Sequence, residues 1–195
     1  MTLLNSMLSL TLIGWSLAAG PVSVRARQEP RVNATGAAVQ AFQKKVADYV
    51  KLHNEAESKT PALSETSDPR KLASREAALG AAIRQLRADA KPGDIFVAEF
   101  RPVLAEAVRN DFSTRTAVDR KAMVQDFPKS TTLSVNMVYP PTLPLATFPA
   151  KLLRALPDLP PELEYRIVGR HLILRDVTAN LVVDFVRDVV PTIPS

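Results

Sequence analysis

No cysteine occurs among the 195 residues, so a disulfide framework, a thiolate metal site and a cysteine nucleophile are all excluded. The compartment stays open, because a chain without cysteine is compatible with any of them. Histidine is almost as scarce. His53 and His171 lie in different segments, and no H-E-x-x-H or other zinc spacing is present. The six glycines make neither a phosphate-binding loop nor a G-x-S-x-G elbow, and no Ser-His-Asp order stands out. Aromatic residues amount to 6% and are not interleaved with the basic ones, so a stacking platform for single-stranded nucleic acid is not expected. No cofactor and no metal are expected.

What is present suits one globular domain. The hydrophobic fraction is 46%, and the charged residues carry both signs with a net charge of +5. The first 26 residues read as a secretory signal peptide. Leu8 to Ala19 is an apolar run too short to span a bilayer, and Val24-Arg25-Ala26 offers residues suited to the −3 and −1 positions, so cleavage is expected after Ala26. Residues 27–36 read as a flexible polar arm, and 37–195 as a single domain, helical over 37–128 and mixed over 131–191. Cleavage would remove Trp15, the only tryptophan, and leave a mature chain with no membrane span.

Helical spacing of Val39, Phe42, Val46, Tyr49, Val50 and His53 predicts a helix over about 37–57, with His53 on its apolar stripe. Asp68-Pro69 is a cap followed by a proline at the first helical position, which starts a second helix running to about Ala90. Leu72, Leu79, Ile83 and Leu86 form its stripe, and the two helices are expected to make an antiparallel hairpin. Arg70, Lys71, Arg75, Arg84, Arg87 and Lys91 scatter around the second helix, which argues against nucleic acid as a partner. A third helix capped by Asp94, kinked or broken at Pro102, and a fourth over Thr114–Phe127 complete the helical part.

Most of the 16 prolines lie from Pro128 onward, which rules out long helices there. Leu133, Val135, Met137 and Tyr139 alternate with other residues and predict a half-buried strand over 131–139, and Pro149 opens a short helix over Ala150–Leu156. Gly169-Arg170 separates two β-compatible runs and fits a type II′ turn. That turn sets Val168 opposite His171, Ile167 opposite Leu172, Arg166 opposite Ile173, Tyr165 opposite Leu174 and Glu164 opposite Arg175. Thr178 is placed to cap a last helix through Val190, although its valine content also permits a strand. The expected class is α+β: a helical hairpin and further helices, then a three-stranded antiparallel sheet of 131–139, 162–168 and 171–176 under short covering helices.

The segment ELEYRIVGRHLILRDVTANLVVDFV resembles the C-terminal signature of a family of small, uncharacterised secreted proteins from bacteria. The likeness extends more loosely through FQKKVADYVKLH, DPRKLASREAALGAAIRQLRADAKPGDIF and LPDLPPE. The resemblance implies a fold and an export route, and no site residue.

One polar constellation stands out, on the hairpin: Arg166, Arg170, His171, Arg175 and Asp176. It reads either as a small anion site with His171 tuned by a neighbour, or as a solvent-facing set in which Glu164 pairs Arg175 and Asp176 helps cap the last helix. Three functions are compatible with this. The expected one is an exported non-catalytic protein, structural or binding a protein partner in the envelope. The others are an envelope hydrolase using His171 with Asp176 or Asp184, and a binder of an anionic polymer or lipid head group.

Overall fold

The computed structural model describes residues 31–124, 132–141 and 148–193. The expected signal peptide, its cleavage site and arm residues 27–30 lie outside the described residues, as do 125–127 at the end of the fourth predicted helix and Thr131 at the start of the predicted strand.

Helix α1 runs over Arg31–Ser58 and takes in residues 31–36, which the sequence assigned to the flexible arm. Ala38, Phe42, Val46, Tyr49, His53 and Ala56 recur at intervals of three and four, and all are buried. Helix α2, Pro69–Leu86, starts as expected: the Asp68 carboxylate accepts from the Arg70 amide and Pro69 occupies the first turn. Of its expected stripe, Leu79 and Ile83 are fully buried, whereas Leu72 is 47% exposed. The Arg75 guanidinium meets Glu57 near one end of the pair, and the Arg87 guanidinium lies over the Tyr49 ring near the other, so α1 and α2 run antiparallel. The helical hairpin is present.

No helix grows from Asp94. Its carboxylate turns back to the Lys91 amide, Gly93 is left-handed at φ 94°, and the chain makes a series of turns up to Phe100. Helix α3 (Arg101–Ser113) begins beyond that break with Pro102 in its first turn, where a missing N–H costs nothing. Helix α4 is shorter than expected, Ala117–Met123, and is capped by Thr116. Phe42 stacks on Phe96 and Phe100, which fastens α1 to the turns ahead of α3. Helix α5, Ala150–Ala155, buries Leu152 and packs against α3.

Strands β1 (Leu163–Val168) and β2 (His171–Asp176) form the hairpin in the expected register, position for position. Gly169 has φ 59° while Arg170 does not have a positive φ, the signature of a type II′ turn. The third strand differs from expectation. It is β3, Leu181–Val186, so the predicted last helix is a strand, and the antiparallel order is β1-β2-β3. Asn180, left-handed at φ 50°, closes the four-residue turn from β2, and the valine-rich run then completes a sheet that two strands alone would leave marginal.

The 132–139 segment is not a sheet strand. A turn at Val135–Asn136, with Asn136 at φ 66°, interrupts it, and it joins the outer edge of β3 through one bridge, Val138 to Leu181. Backbone bonds from Asn136 N–H to Val182 C=O, from Val182 N–H to Met137 C=O and from Tyr139 N–H to Asn180 C=O hold it there. Its apolar alternation nevertheless does the expected packing. Leu133 and Tyr139 bury with Val168, Ile173, Val182 and Phe185 on one face of the sheet. The opposite face, Leu163, Tyr165, Leu172, Leu174, Leu181 and Val183, buries against the helices. Among the described residues no helix is long and apolar enough to cross a membrane.

Candidate functional site

The register shift between β2 and β3 organises the polar interior. Leu174 pairs Asp184 and Arg175 pairs Val182, so Val183 is an extra residue, a β-bulge. Two consecutive residues, Val183 and Asp184, then address the helical side. The bulge leaves the Val183 carbonyl outside the ladder, and Arg87 reaches it with Nη2 at 3.1 Å. Arg87 Nη1 donates to Asn136 Oδ1, and Asn136 Nδ2 donates back to the Arg87 carbonyl. Burial lowers the pKa of Arg87 against the attraction of Tyr49, Asp184, Asp94 and Asp176. Asp184 is fully buried and accepts four backbone N–H groups, from Gly93, Ile95, Phe96 and Phe185, at 2.8–2.9 Å. It fixes the turns that replace the first part of the expected third helix.

Asp176 is the second fully buried carboxylate. Its Oδ2 accepts the Tyr49 hydroxyl and the His53 ring Nδ1, each at 2.7 Å, and its Oδ1 accepts the Ala179 amide at 2.7 Å. The bond to Ala179 closes the turn between β2 and β3, so Asp176 caps a turn and not the expected helix. Gly80 of α2 lies against that turn: a Cβ there would come to 3.2 Å from the Ala179 carbonyl, so the absence of a side chain allows α2 and the sheet to approach.

The hydrogen bond to Asp176 raises the pKa of His53 against the cost of burial, with Asp176, Glu57 and Glu162 adding attraction. Burial works against the Asp176 carboxylate, but donors from His53, Ala179 and Tyr49 prevail and hold its pKa below the ordinary value. Tyr49 is pushed far up, by burial first and then by the Asp176 charge, so it stays a neutral donor. The contact between the His53 ring and the Asp176 carboxylate therefore ties α1 to β2 across 123 residues of sequence. The sequence placed His53 on an apolar stripe and Asp176 on the hairpin without pairing them.

The five hairpin residues do not form one site. Arg166 and Arg175 each reach Glu164 at 2.6 Å, and Arg175 also bonds Asn180 Oδ1 and lies over the Tyr139 ring. Asn180 donates on to Glu76 of α2. Burial opposes ionisation of Glu164, yet the two guanidinium hydrogen bonds lower its pKa. The expected Glu164–Arg175 pair is present. At the turn, Arg170 bonds the Val190 carbonyl and pairs with Asp188 at 3.2 Å. His171 accepts the Asp188 amide at Nδ1, and burial lowers its pKa. His171 and Asp176 stand at opposite ends of β2, and Asp184 is occupied by loop amides. The arginines of the expected anion site are thus engaged by carboxylates, carbonyls and amides of the chain itself.

Several depressions open among the described residues, and two of them border these side chains. One of about 440 Å³ lies between α1 and the end of α2, lined by Lys45, Tyr49, Gln85, Arg87 and Asp94. Another of about 590 Å³ runs along β1, lined by Phe148, Leu153, Leu159, Leu163, Tyr165 and Arg166. No group of three or more His, Cys, Asp or Glu side chains among the described residues could hold a metal ion. No family model, no curated protein and no solved structure matches the chain.

Proposed function

We propose that this chain is an exported, non-catalytic protein that acts in the bacterial envelope by binding a protein partner or as a structural component. The observation that carries this reading is the state of Asp176 and Asp184. Both carboxylates spend their acceptor capacity on Tyr49, His53 and backbone amides of the fold. A general base must reach the proton it removes, and these two face inward. The hydrolase reading needs His171 coupled to one of them, and His171 instead receives the Asp188 amide. The head-group reading needs a contiguous basic surface, whereas Arg166, Arg170 and Arg175 are each paired with a carboxylate. Export rests on the Leu8–Ala19 apolar run and on the family resemblance.

Intact mass of the protein made in its own cell tests the export half. A mature N-terminus at Arg27 is expected, and a cytosolic species that keeps Met1 removes it. Crosslinking in the envelope followed by mass spectrometry tests the other half, with reproducible protein adducts expected. Hydrolytic turnover abolished by His171→Ala would overturn the non-catalytic reading.

A further inference from the structure

Among the described residues strand β1 is an edge of the sheet. A two-residue hairpin makes Val168 and His171 a mutually hydrogen-bonded pair, so alternate residues Val168, Arg166 and Glu164 turn their backbone groups toward β2. The bond from Val177 N–H to Glu162 C=O continues that parity. Leu163, Tyr165 and Ile167 therefore turn their N–H and C=O groups outward. The Leu163 amide is satisfied locally by Pro160 C=O. Among the described residues no strand covers Tyr165 and Ile167, whereas the other edge of the sheet is covered by residues 136–139. An edge of this kind is a template for a further strand.

We infer that β1 pairs antiparallel with β1 of a second copy of this chain, about a two-fold axis at Tyr165. The inference rests on the partner-binding reading and names the first partner. Charge selects the register. Pairing about Tyr165 sets Glu164 opposite Arg166 of the second copy, twice by symmetry, and Leu163 opposite Ile167. Shifting one way sets Glu164 against Glu164, and shifting the other way sets Arg166 against Arg166. Only the central register opposes unlike charges without also setting like charges face to face. In it the two Tyr165 residues exchange N–H···O=C bonds, and each Ile167 N–H meets a Leu163 carbonyl. Glu164 already lies between Arg166 and Arg175 of its own chain, so the incoming arginine extends an alternating row. The groove along β1, where Leu153 is 49% exposed beside Asp158, Glu164 and Arg166, borders the same edge and would meet its symmetry mate.

Sedimentation velocity of the full processed chain over a wide concentration range is the first test, with a reversible monomer–dimer equilibrium expected. Ile167→Pro removes an outward N–H and no bond to β2, so it should weaken the dimer at least about tenfold, the equivalent of roughly one hydrogen bond per copy. Because Ile167→Pro could disturb folding, a second pair of variants reads the register directly. Residues 164 and 166 form a non-hydrogen-bonded pair, the close kind that a disulfide can bridge. The double variant Glu164→Cys/Arg166→Cys should therefore give a covalent dimer on mild oxidation, while neither single variant does. A wild type that stays monomeric at every concentration overturns the inference, as does crosslinking by either single variant. A monomer that captures an extended segment of another protein also overturns it, while leaving the partner-binding reading standing; a dimer that yields no envelope adducts does the reverse.

Discussion

Replacing His53 by alanine is the sharpest perturbation of this fold, because it removes one partner of a buried charged pair. His53 is 2% exposed and Asp176 is fully buried. The variant leaves Asp176 with Tyr49 and Ala179 as donors but without the positive charge that offsets its burial. Removal of one partner from such a pair costs about 3–5 kcal/mol, which lowers Tm by about 6–20 °C for a chain of this size. The cost must depend on pH. The folded pKa of His53 is raised, so its contribution is complete below the unfolded value of about 6.5 and is lost as pH rises through the folded value. The folded pKa of Asp176 is lowered, so its contribution is complete above about 4 and is lost as pH falls through the folded value. The gap between wild type and His53→Ala should be widest between about pH 4 and 6.5 and narrow as the pH rises through the folded value of His53. His171 supplies an internal control of opposite sign. Burial lowers its folded pKa, so its contribution is present above about 6.5 and is lost as the medium is acidified. His171→Ala should cost only about 1 kcal/mol, the worth of its bond to the Asp188 amide, and more at pH 8 than at pH 5. Urea melts of both variants at several pH values, followed by far-ultraviolet circular dichroism, decide this. A pH-independent His53 gap, or two slopes of the same sign, would refute the assignment.

Gly169→Val should cost roughly 1–3 kcal/mol, because φ 59° forces a β-branched residue into a sparsely populated region; the denaturant midpoint reads it. Leu172→Ala and Leu174→Ala each leave a cavity between the sheet and the helices and should cost about 2–5 kcal/mol in the same melts. Asp184→Ala strips the buried Ile95 and Phe96 amides of their acceptor and should cost about 2–6 kcal/mol, with faster hydrogen exchange at those two amides as the specific readout.

The parts of the fold that depend on neighbours in sequence were legible from the sequence. The hairpin register followed from Gly169 alone, because a two-residue turn leaves no freedom in the pairing. The start of α2 followed from Asp68-Pro69. The stripe of α1 followed from spacing, and its length did not, since the buried repeat begins only at Ala38 and Gly36, which reads as a boundary, lies inside the helix. The third predicted helix is present from Arg101, broken at Pro102 as its sequence allows, but its start at Asp94 failed because a distant carboxylate, Asp184, binds the amides of Gly93, Ile95 and Phe96. Similarly, the predicted strand over 131–139 has the right apolar alternation. Asn136, however, takes a left-handed turn with its side chain bonded to Arg87, and no local pattern announces that partner.

The most instructive miss is β3, and its cause is physical. A strand shows itself by alternation, and the bulge at Val183 destroys it: Leu181, Val183 and Asp184 face the helices while Val182 and Phe185 face the other way. Val182, Phe185, Val186 and Val189 fall at helical spacing, although in the sheet Val182 and Phe185 face one way and Val186 the other, so the periodicity points to the wrong element. The same bulge creates the interior polar sites. It turns Asp184 toward the 93–96 turns and strips Val183 of a ladder partner, which Arg87 then supplies. Asp176 does the equivalent work at the end of β2, reaching α1 through Tyr49 and His53. The two buried carboxylates are therefore the joints between the sheet and the helical layer. Their partners in the helical layer lie about ninety residues and more away, so the residues most suggestive of chemistry in the sequence are those that the fold uses to hold its layers together.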